Sequence, residues 1–209
     1  DGRITAMQNT YYWDGGAYTE YGVNITRAAG YSSTGPYFVP NVHADSMCVY
    51  TNHPIGGAMR GFGMPEIHWA IEQHIDRMAT QLHLDPVQVR LLNCLKEGQE
   101  TVTGMIMHPT GLSQCIAQAA EALDWEQPSK PSAPGKKRGK GIAAMWKAPA
   151  MPPNPGSAST IRFNEDGTCL VNIGGVDMGQ GTLTIAAQLA AEGLGIPIAD
   201  VRVNTVDTD

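Results

Sequence analysis

The chain has 209 residues, enough for one large domain or two small ones, and its 14 basic and 20 acidic side chains give a net charge of −6. This acidic balance argues against a nucleic-acid-binding surface, and no stretch reaches the roughly 20 apolar residues of a membrane-spanning helix. The four cysteines form no CxxC pair, which argues against a zinc or iron–sulfur site and favours reduced thiols in a cytoplasmic protein.

Charged residues make up only 16% of the chain, against about 25% in typical globular domains. A protein with little free surface needs few surface charges, so this composition indicates a piece of something larger. The 24 glycines and 14 prolines indicate a loop-rich but globular chain.

The first part of the chain predicts strands followed by helices. Alternating apolar and polar residues predict strands at 4–7, 11–13 and 47–50. Apolar residues at helical spacing predict a helix from Pro65 to Leu82, and Asp85 with Pro86 marks the start of a second helix. A third helix is predicted over 111–123. His68 and His74, six residues apart, do not share a helix face, so each is interpreted as a surface or packed histidine rather than a metal ligand.

The composition changes after a Pro-, Ser- and Lys-rich linker at 126–140. Beyond it we predict a strand at 141–146, a hairpin of 157–163 and 168–173 around Asp166-Gly167, a helix ending near Leu194, and a strand from Val201. The fold class is therefore α+β, in two unequal lobes that each mix strands with helices opened by glycine-rich loops. The predicted divisions are 1–125, the linker 126–140, and 141–209.

The first glycine-rich loop spans 56–63 and leads into the first predicted helix. Its glycines let backbone N–H groups approach a ligand, and a helix N-terminus stabilises a nearby anion by about 0.3–1 kcal/mol. Arg60 adds a permanent positive charge, and Phe62, between two glycines, can lie over a flat ligand. The alternative is a tight turn whose glycines serve only helix packing.

The second glycine-rich loop, 178–182, repeats this arrangement. Gln180 carries both a donor and an acceptor for a polar ligand, and Thr182 either caps the helix or binds a phosphate oxygen. The loop has neither the lysine of a Walker motif nor the GxGxxG pattern, which disfavours a nucleoside triphosphate or nicotinamide site. The two loops together indicate one extended anionic cofactor.

The two loops also carry a specific resemblance. The run Arg60-Gly61-Phe62-Gly63 and the run Met178-Gly179-Gln180-Gly181 resemble, in the same order, the RGFG and MGQG signatures of the molybdenum hydroxylases, the xanthine dehydrogenase and aldehyde oxidase family. The segments 14–18 and 35–42 fit the same family, so the resemblance covers nearly the whole chain.

The resemblance implies the roles of individual residues. Phe62 would pack against the substrate, and Arg27 lies roughly where some purine-oxidising members place a substrate arginine, although its spacing is one residue off. Glu66 is explained by the helix dipole and is not assigned as a base. The residues implied to contact the cofactor are Arg60, Gly61, Gly63, Gly179, Gln180, Gly181 and Thr182.

The resemblance further implies hydroxylation of aldehydes, purines or N-heterocycles with oxygen from water. The cofactor would be molybdenum–molybdopterin in its dinucleotide form, with iron–sulfur clusters and FAD on partner domains or subunits. The family's general base lies downstream of the MGQG loop, so no catalytic residue and no direct metal ligand is predicted here. The chain would be the middle of the large subunit, straddling two cofactor-binding domains and inactive alone, with the proline-rich residues 149–155 lining part of the pocket.

Two other functions stay open from the residues. One is a cofactor-free scaffold or interface module of a degenerate relative. The other is a reductase of aromatic thioesters in the same family. Intact Arg60, Phe62 and Gln180 favour the hydroxylase over the scaffold, because a degenerate copy has no reason to retain them.

Overall fold

A computed structural model describes residues 1–147 and 156–204. The chain divides into two compact units, Asp1–Pro149 and Ala150–Asp209. Both mix helices with strands, so the predicted α+β class with two unequal lobes is confirmed. In the described ranges, no helix is both long and apolar enough to cross a membrane.

The first unit opens with a strand–helix–strand crossover. Strands β1 (Met7–Asp14) and β2 (Val42–Val49) pair in parallel, with Met7 opposite Val42 and Asp14 opposite Val49. Side chains of both strands alternate between half-buried and exposed, as the period of two requires. The connection is helix α1 (Gly22–Tyr31), which the sequence analysis missed because it has a glycine near each end and no side-chain cap.

Three helices follow and form most of the first core. They are α2 (Met64–Leu82), α3 (Pro86–Asn93) and α4 (Leu112–Ala122), as the periodicity predicts. The Asp85 side chain accepts a hydrogen bond from the Gln88 N–H at 2.9 Å, which confirms the predicted N-cap of α3. Pro65 is the second residue of α2 rather than the first. The buried core residues include Ile67, Ile71, Ile75, Val87, Val89 and Ile116.

Residues 141–147 do not form the predicted strand. Their backbone donors bind side chains of α2 instead of a neighbouring strand: the Ala144 N–H donates to Glu72 Oε2, and the Trp146 N–H donates to His68 Nε2. The strand prediction was wrong because an apolar run does not reveal which partner its backbone will find. The predicted pocket-lining residues 149–155 lie outside the described residues.

The second unit is a three-stranded sheet with one helix. Strands β3 (Ser159–Phe163) and β4 (Cys169–Ile173) form the predicted antiparallel hairpin, and β5 (Val201–Val203) pairs with β4 in parallel. Gly167 has φ +84°, which explains the glycine in the hairpin turn. Helix α5 (Thr182–Leu194) packs on the sheet through a small core made of Cys169, Val171, Ala190, Ala191 and Val201.

Candidate functional site

The first glycine loop turns sharply into the start of α2. Gly61, Phe62 and Gly63 have φ values of +109°, +58° and +85°, three consecutive residues in a region that side chains disfavour. The Met64 N–H then donates to the Gly61 carbonyl at 3.2 Å, which starts the helix. Arg60 is exposed, and Phe62 is half-buried. The structure therefore puts Arg60 and Phe62 on one loop at the N-terminus of α2, as predicted.

The loop packs directly against α1. A Cβ atom on Gly63 would lie 3.0 Å from Ile25 Cγ2 and 3.1 Å from Ala29 Cβ, so only glycine fits without movement. The Phe62 ring contacts the ring of Tyr21 edge-on, with centroids 5.9 Å apart. Glycine at position 63 therefore allows both the positive φ and the close approach of the loop to α1, which packs against it.

Asp14, at the end of β1, forms hydrogen bonds with the segment that precedes this loop. Its carboxylate accepts hydrogen bonds from Thr51 Oγ1 at 2.5 Å, from the His53 ring and from the Gly16 N–H at 3.0 Å. The bond from Thr51, followed by that from His53, lowers the pKa of Asp14 to about 2. The Gly56 N–H donates to the Gly15 carbonyl at 3.2 Å, so the first loop begins against the strand end. The sequence analysis used Asp14 only as part of a motif and missed this role.

The second loop is closed by its own side chains. Gln180 Oε1 accepts from the Met178 N–H at 2.6 Å, and Gln180 Nε2 donates to the Val176 carbonyl at 2.9 Å and to Thr182 Oγ1 at 2.7 Å. Gly181 has φ +83° and directly precedes α5. The amide of Gln180 therefore stabilises the loop conformation, with the side chain exposed at its surface.

Asp177 organises the same loop and was missed as a functional residue. Its carboxylate accepts from the N–H groups of Gly179 at 2.7 Å, Leu183 at 3.2 Å and Gly181 at 3.4 Å. The bonds from Gly179 and Leu183 lower the pKa of Asp177. Thus a side chain of the protein itself holds some of the donors at the start of α5. An acidic residue two positions before the first loop glycine was the available sequence signal.

The two other residues singled out by sequence lie in the first unit. Arg27, on α1, is exposed and donates to Asn24 Oδ1 at 3.0 Å. Glu66 is exposed in the first turn of α2, where a carboxylate favours the helix dipole. Among the described residues, no three His, Cys, Asp or Glu side chains cluster as a metal site.

Family models and known relatives match this arrangement. Residues 1–94 and 115–209 each match a model described as a molybdopterin cofactor-binding domain. The xanthine dehydrogenase molybdenum-binding subunit of Escherichia coli O157:H7 is 33% identical over 219 residues, covering 100% of this chain and 29% of that protein. The aldehyde oxidoreductase of Megalodesulfovibrio gigas is 32% identical over 184 residues, covering 87% of this chain and 20% of that protein.

A solved structure gives the same result. The aldehyde oxidoreductase of Desulfovibrio desulfuricans superposes with a TM-score of 0.72 at 27% identity, over 99% of this chain and 23% of that one. This chain belongs to the molybdenum hydroxylase family. The matches do not favour the scaffold module or the thioester reductase. The chain spans less than a third of the length of these molybdenum hydroxylases.

The first loop fits the molybdopterin group of a molybdenum hydroxylase. Three positive-φ residues at a helix N-terminus form a backbone cradle in which only small residues fit at 61 and 63. In the second loop, Asp177 holds several backbone donors, so the fit there depends on loop shape and on the exposed Gln180.

Proposed function

We propose that these residues form part of the molybdopterin-binding portion of an oxidoreductase that hydroxylates aldehydes, purines or N-heterocycles with oxygen from water. The observation that carries the proposal is the pair of glycine loops, each at the N-terminus of a helix and each within a matched cofactor-binding domain. When bound, the molybdenum group supplies Lewis-acid and redox chemistry that these residues lack.

In the first loop, the residues we propose as cofactor contacts are Arg60, Gly61 and Gly63, with Phe62 facing the substrate. Because Gly61 and Gly63 have no side chains, a ligand can approach the backbone N–H groups of the loop closely. The contact between Phe62 and Tyr21 leaves the Phe62 ring half-buried, so one part of it is supported and another is accessible to substrate. The role of this chain is to bind and orient, since no catalytic residue is proposed within it.

In the second loop we propose contacts from Gly179, Gln180, Gly181 and Thr182. Gln180 donates a hydrogen bond to Thr182, so this pair stabilises one conformation of the loop in advance of cofactor binding. Such preorganisation lowers the entropy lost on binding. Asp177 accepts hydrogen bonds from backbone N–H groups that would otherwise be available to an anion. This favours contact of the cofactor with the exposed side of the loop, where Gln180 lies.

The proposed cofactor is the dinucleotide form of molybdenum–molybdopterin, with iron–sulfur clusters and FAD on partner domains or subunits. The four cysteines are all free in the structure, which supports a reducing, cytoplasmic location. For domains we retain 1–125 and 141–209 as parts of two cofactor-binding domains joined by 126–140. Residues 141–147 belong to the first compact unit of the structure, where Ala144 and Trp146 hydrogen-bond to α2. We propose that the protein acts on a small-molecule substrate and binds neither nucleic acid nor a membrane.

The test is cofactor content and turnover of the full natural polypeptide with matched glycine variants. Gly61→Ala puts a Cβ 2.6 Å from Pro65 Cδ, whereas Gly98→Ala introduces similar strain at φ +79° with no atom within 4 Å. We expect molybdenum by elemental analysis and dye-linked oxidation of aldehydes or purines in the wild type and in Gly98→Ala, and a large loss of both in Gly61→Ala. A wild type without molybdenum or turnover refutes the proposal.

A further inference from the structure

Strands β1 and β2 end at the same edge of their sheet, and the two segments that leave them stay hydrogen-bonded to each other. The backbone bonds are Gly15 N–H to the Val49 carbonyl at 2.9 Å, Thr51 N–H to Gly16 at 3.1 Å, Ala17 N–H to His53 at 3.1 Å and Gly56 N–H to Gly15 at 3.2 Å. Residues 15–17 therefore run beside 49–56, and the first glycine loop begins at the last of these bonds.

Glycines let the two backbones touch at this junction. Gly16 has φ +73°, and a Cβ atom there would overlap the Pro54 carbonyl oxygen. A Cβ atom on Gly56 would lie 2.7 Å from the carbonyl oxygen of Asp14. Both obstacles are backbone atoms rather than flexible side chains, so any larger residue requires the backbone to move. The path of 54–56 is therefore tied to the end of β1.

The carboxylate of Asp14 joins the same two segments through its side chain. Oδ1 accepts from the Gly16 N–H at 3.0 Å and from Thr51 Oγ1 at 2.5 Å, and Oδ2 accepts from Nδ1 of His53. Thr51 Oγ1 in turn accepts from the His53 N–H at 3.2 Å. Hydrogen bonds to an ionised acceptor are stronger than those between neutral groups. Asp14 is thus the side chain that closes the junction.

The first glycine loop is attached to the first unit at both of its ends. Gly56, at its start, bonds to Gly15, and Gly63, at its end, packs against α1. The residues between them at 57–60 are exposed. Exposed residues bury little surface that could fix their position, so the placement of 57–60 depends on where the two ends of the loop are held.

We infer that Asp14 is a positioning residue for the first glycine loop: it fastens 51–53 to the end of β1 and so fixes where the loop starts. All of these residues belong to the first unit. The inference rests on the proposed function, because the placement of the loop matters for activity only if this loop contacts the cofactor. Asp14 itself is not proposed to touch the cofactor or the substrate.

The experiment uses the full natural polypeptide and four variants. Asp14→Ala removes all three bonds of the carboxylate, whereas Asp14→Asn keeps an oxygen for Gly16 and Thr51. The matched control is Asp45→Ala, which removes an exposed aspartate of β2 that bonds to His43 in its own strand at 3.1 Å. Thr51→Val removes one donor from the other side of the junction, and it serves as the test variant if Asp14→Ala fails to fold.

The measurements are bound molybdenum per polypeptide and amide hydrogen exchange in peptides covering 50–57 and, as a reference within α2, 67–80. We expect Asp14→Ala to speed exchange of the 50–57 peptide about tenfold, the equivalent of about 1.4 kcal/mol of lost hydrogen bonding. It should lower molybdenum content and leave exchange of 67–80 unchanged. Asp14→Asn should restore most of both properties, and Asp45→Ala should change neither.

Faster exchange of 50–57 with full molybdenum content overturns the inference and leaves the proposed function intact. Unchanged exchange of 50–57 in both Asp14→Ala and Thr51→Val also overturns it. Equally faster exchange of 67–80 overturns it as well, because Asp14 would then act on the stability of the whole unit rather than on the loop. A wild type without molybdenum refutes the proposed function instead, and with it this inference.

Discussion

Replacing Arg90 with methionine tests the buried ion pair that underlies the first unit. Arg90 is fully buried, and its Nε lies 2.8 Å from Glu72 Oε2. Burial by itself lowers the pKa of the guanidinium, but the charge of Glu72 and the hydrogen bonds from Arg90 to Glu72 and Asp76 outweigh this effect and raise the pKa. Arg90→Met keeps much of the side-chain volume while it leaves the Glu72 carboxylate buried without its cation.

Breaking a buried pair by removing one partner costs about 3–5 kcal/mol. Glu72 retains two donors in the variant, the Tyr37 hydroxyl and the Ala144 N–H, which offset part of this cost. We therefore expect the free energy of unfolding to fall by about 3–4 kcal/mol, the lower half of that range. At about 1.4 kcal/mol per tenfold, the unfolded fraction rises by two to three orders of magnitude.

Urea unfolding of the 209-residue chain followed by tryptophan fluorescence is the appropriate assay. All four tryptophans, at 13, 69, 125 and 146, lie in the first unit, so the signal reports on that unit. The matched control is Arg77→Met, an exposed arginine on α2 whose loss should change stability by less than about 0.5 kcal/mol. If Arg90→Met loses less than about 1 kcal/mol with an unchanged urea dependence, the reasoning from burial is wrong.

Three further predictions concern the loops and His68. Gly63→Ala should destabilise the first unit by more than about 1 kcal/mol, because it combines φ +85° with contacts at 3.0–3.2 Å; Gly98→Ala, with no neighbour within 4 Å, should cost less in the same urea assay. Burial lowers the pKa of His68 below 6.5 in the folded state. As the pH falls, His68 is therefore protonated in the unfolded state at a higher pH than in the folded state, and the free energy of unfolding should decrease below about pH 6.5. Nearby Glu72 opposes this pKa shift, and His68→Gln should flatten the pH dependence. Gln180→Ala should lower molybdenum–pterin content without changing far-UV circular dichroism, because it removes three bonds within one exposed loop; unchanged content would exclude Gln180 from the site.

Local chemistry let the sequence predict much of this fold. The helix of 64–82, the N-cap at Asp85 and the hairpin turn at Gly167 depend on spacing and backbone preferences within a few residues, and all three were confirmed. The glycine loops were recognisable for the same reason, since the positive φ values at 61 and 181 favour glycine through local backbone sterics.

Long-range contacts decided the rest. Helix α1 has weak local sequence signals, and its position is determined by packing against β2 and the first loop. Residues 141–147 do not form the predicted strand because the backbone N–H groups of Ala144 and Trp146 donate to Glu72 and His68. Glu72 lies 18 residues from Arg90 and 72 from Ala144, so no local pattern joins them. Sequence by itself determined where helices and tight turns form, because those depend on neighbours in the chain. Which polar group each buried donor meets was decided only by the tertiary structure, because that depends on atoms the chain brings together from far apart.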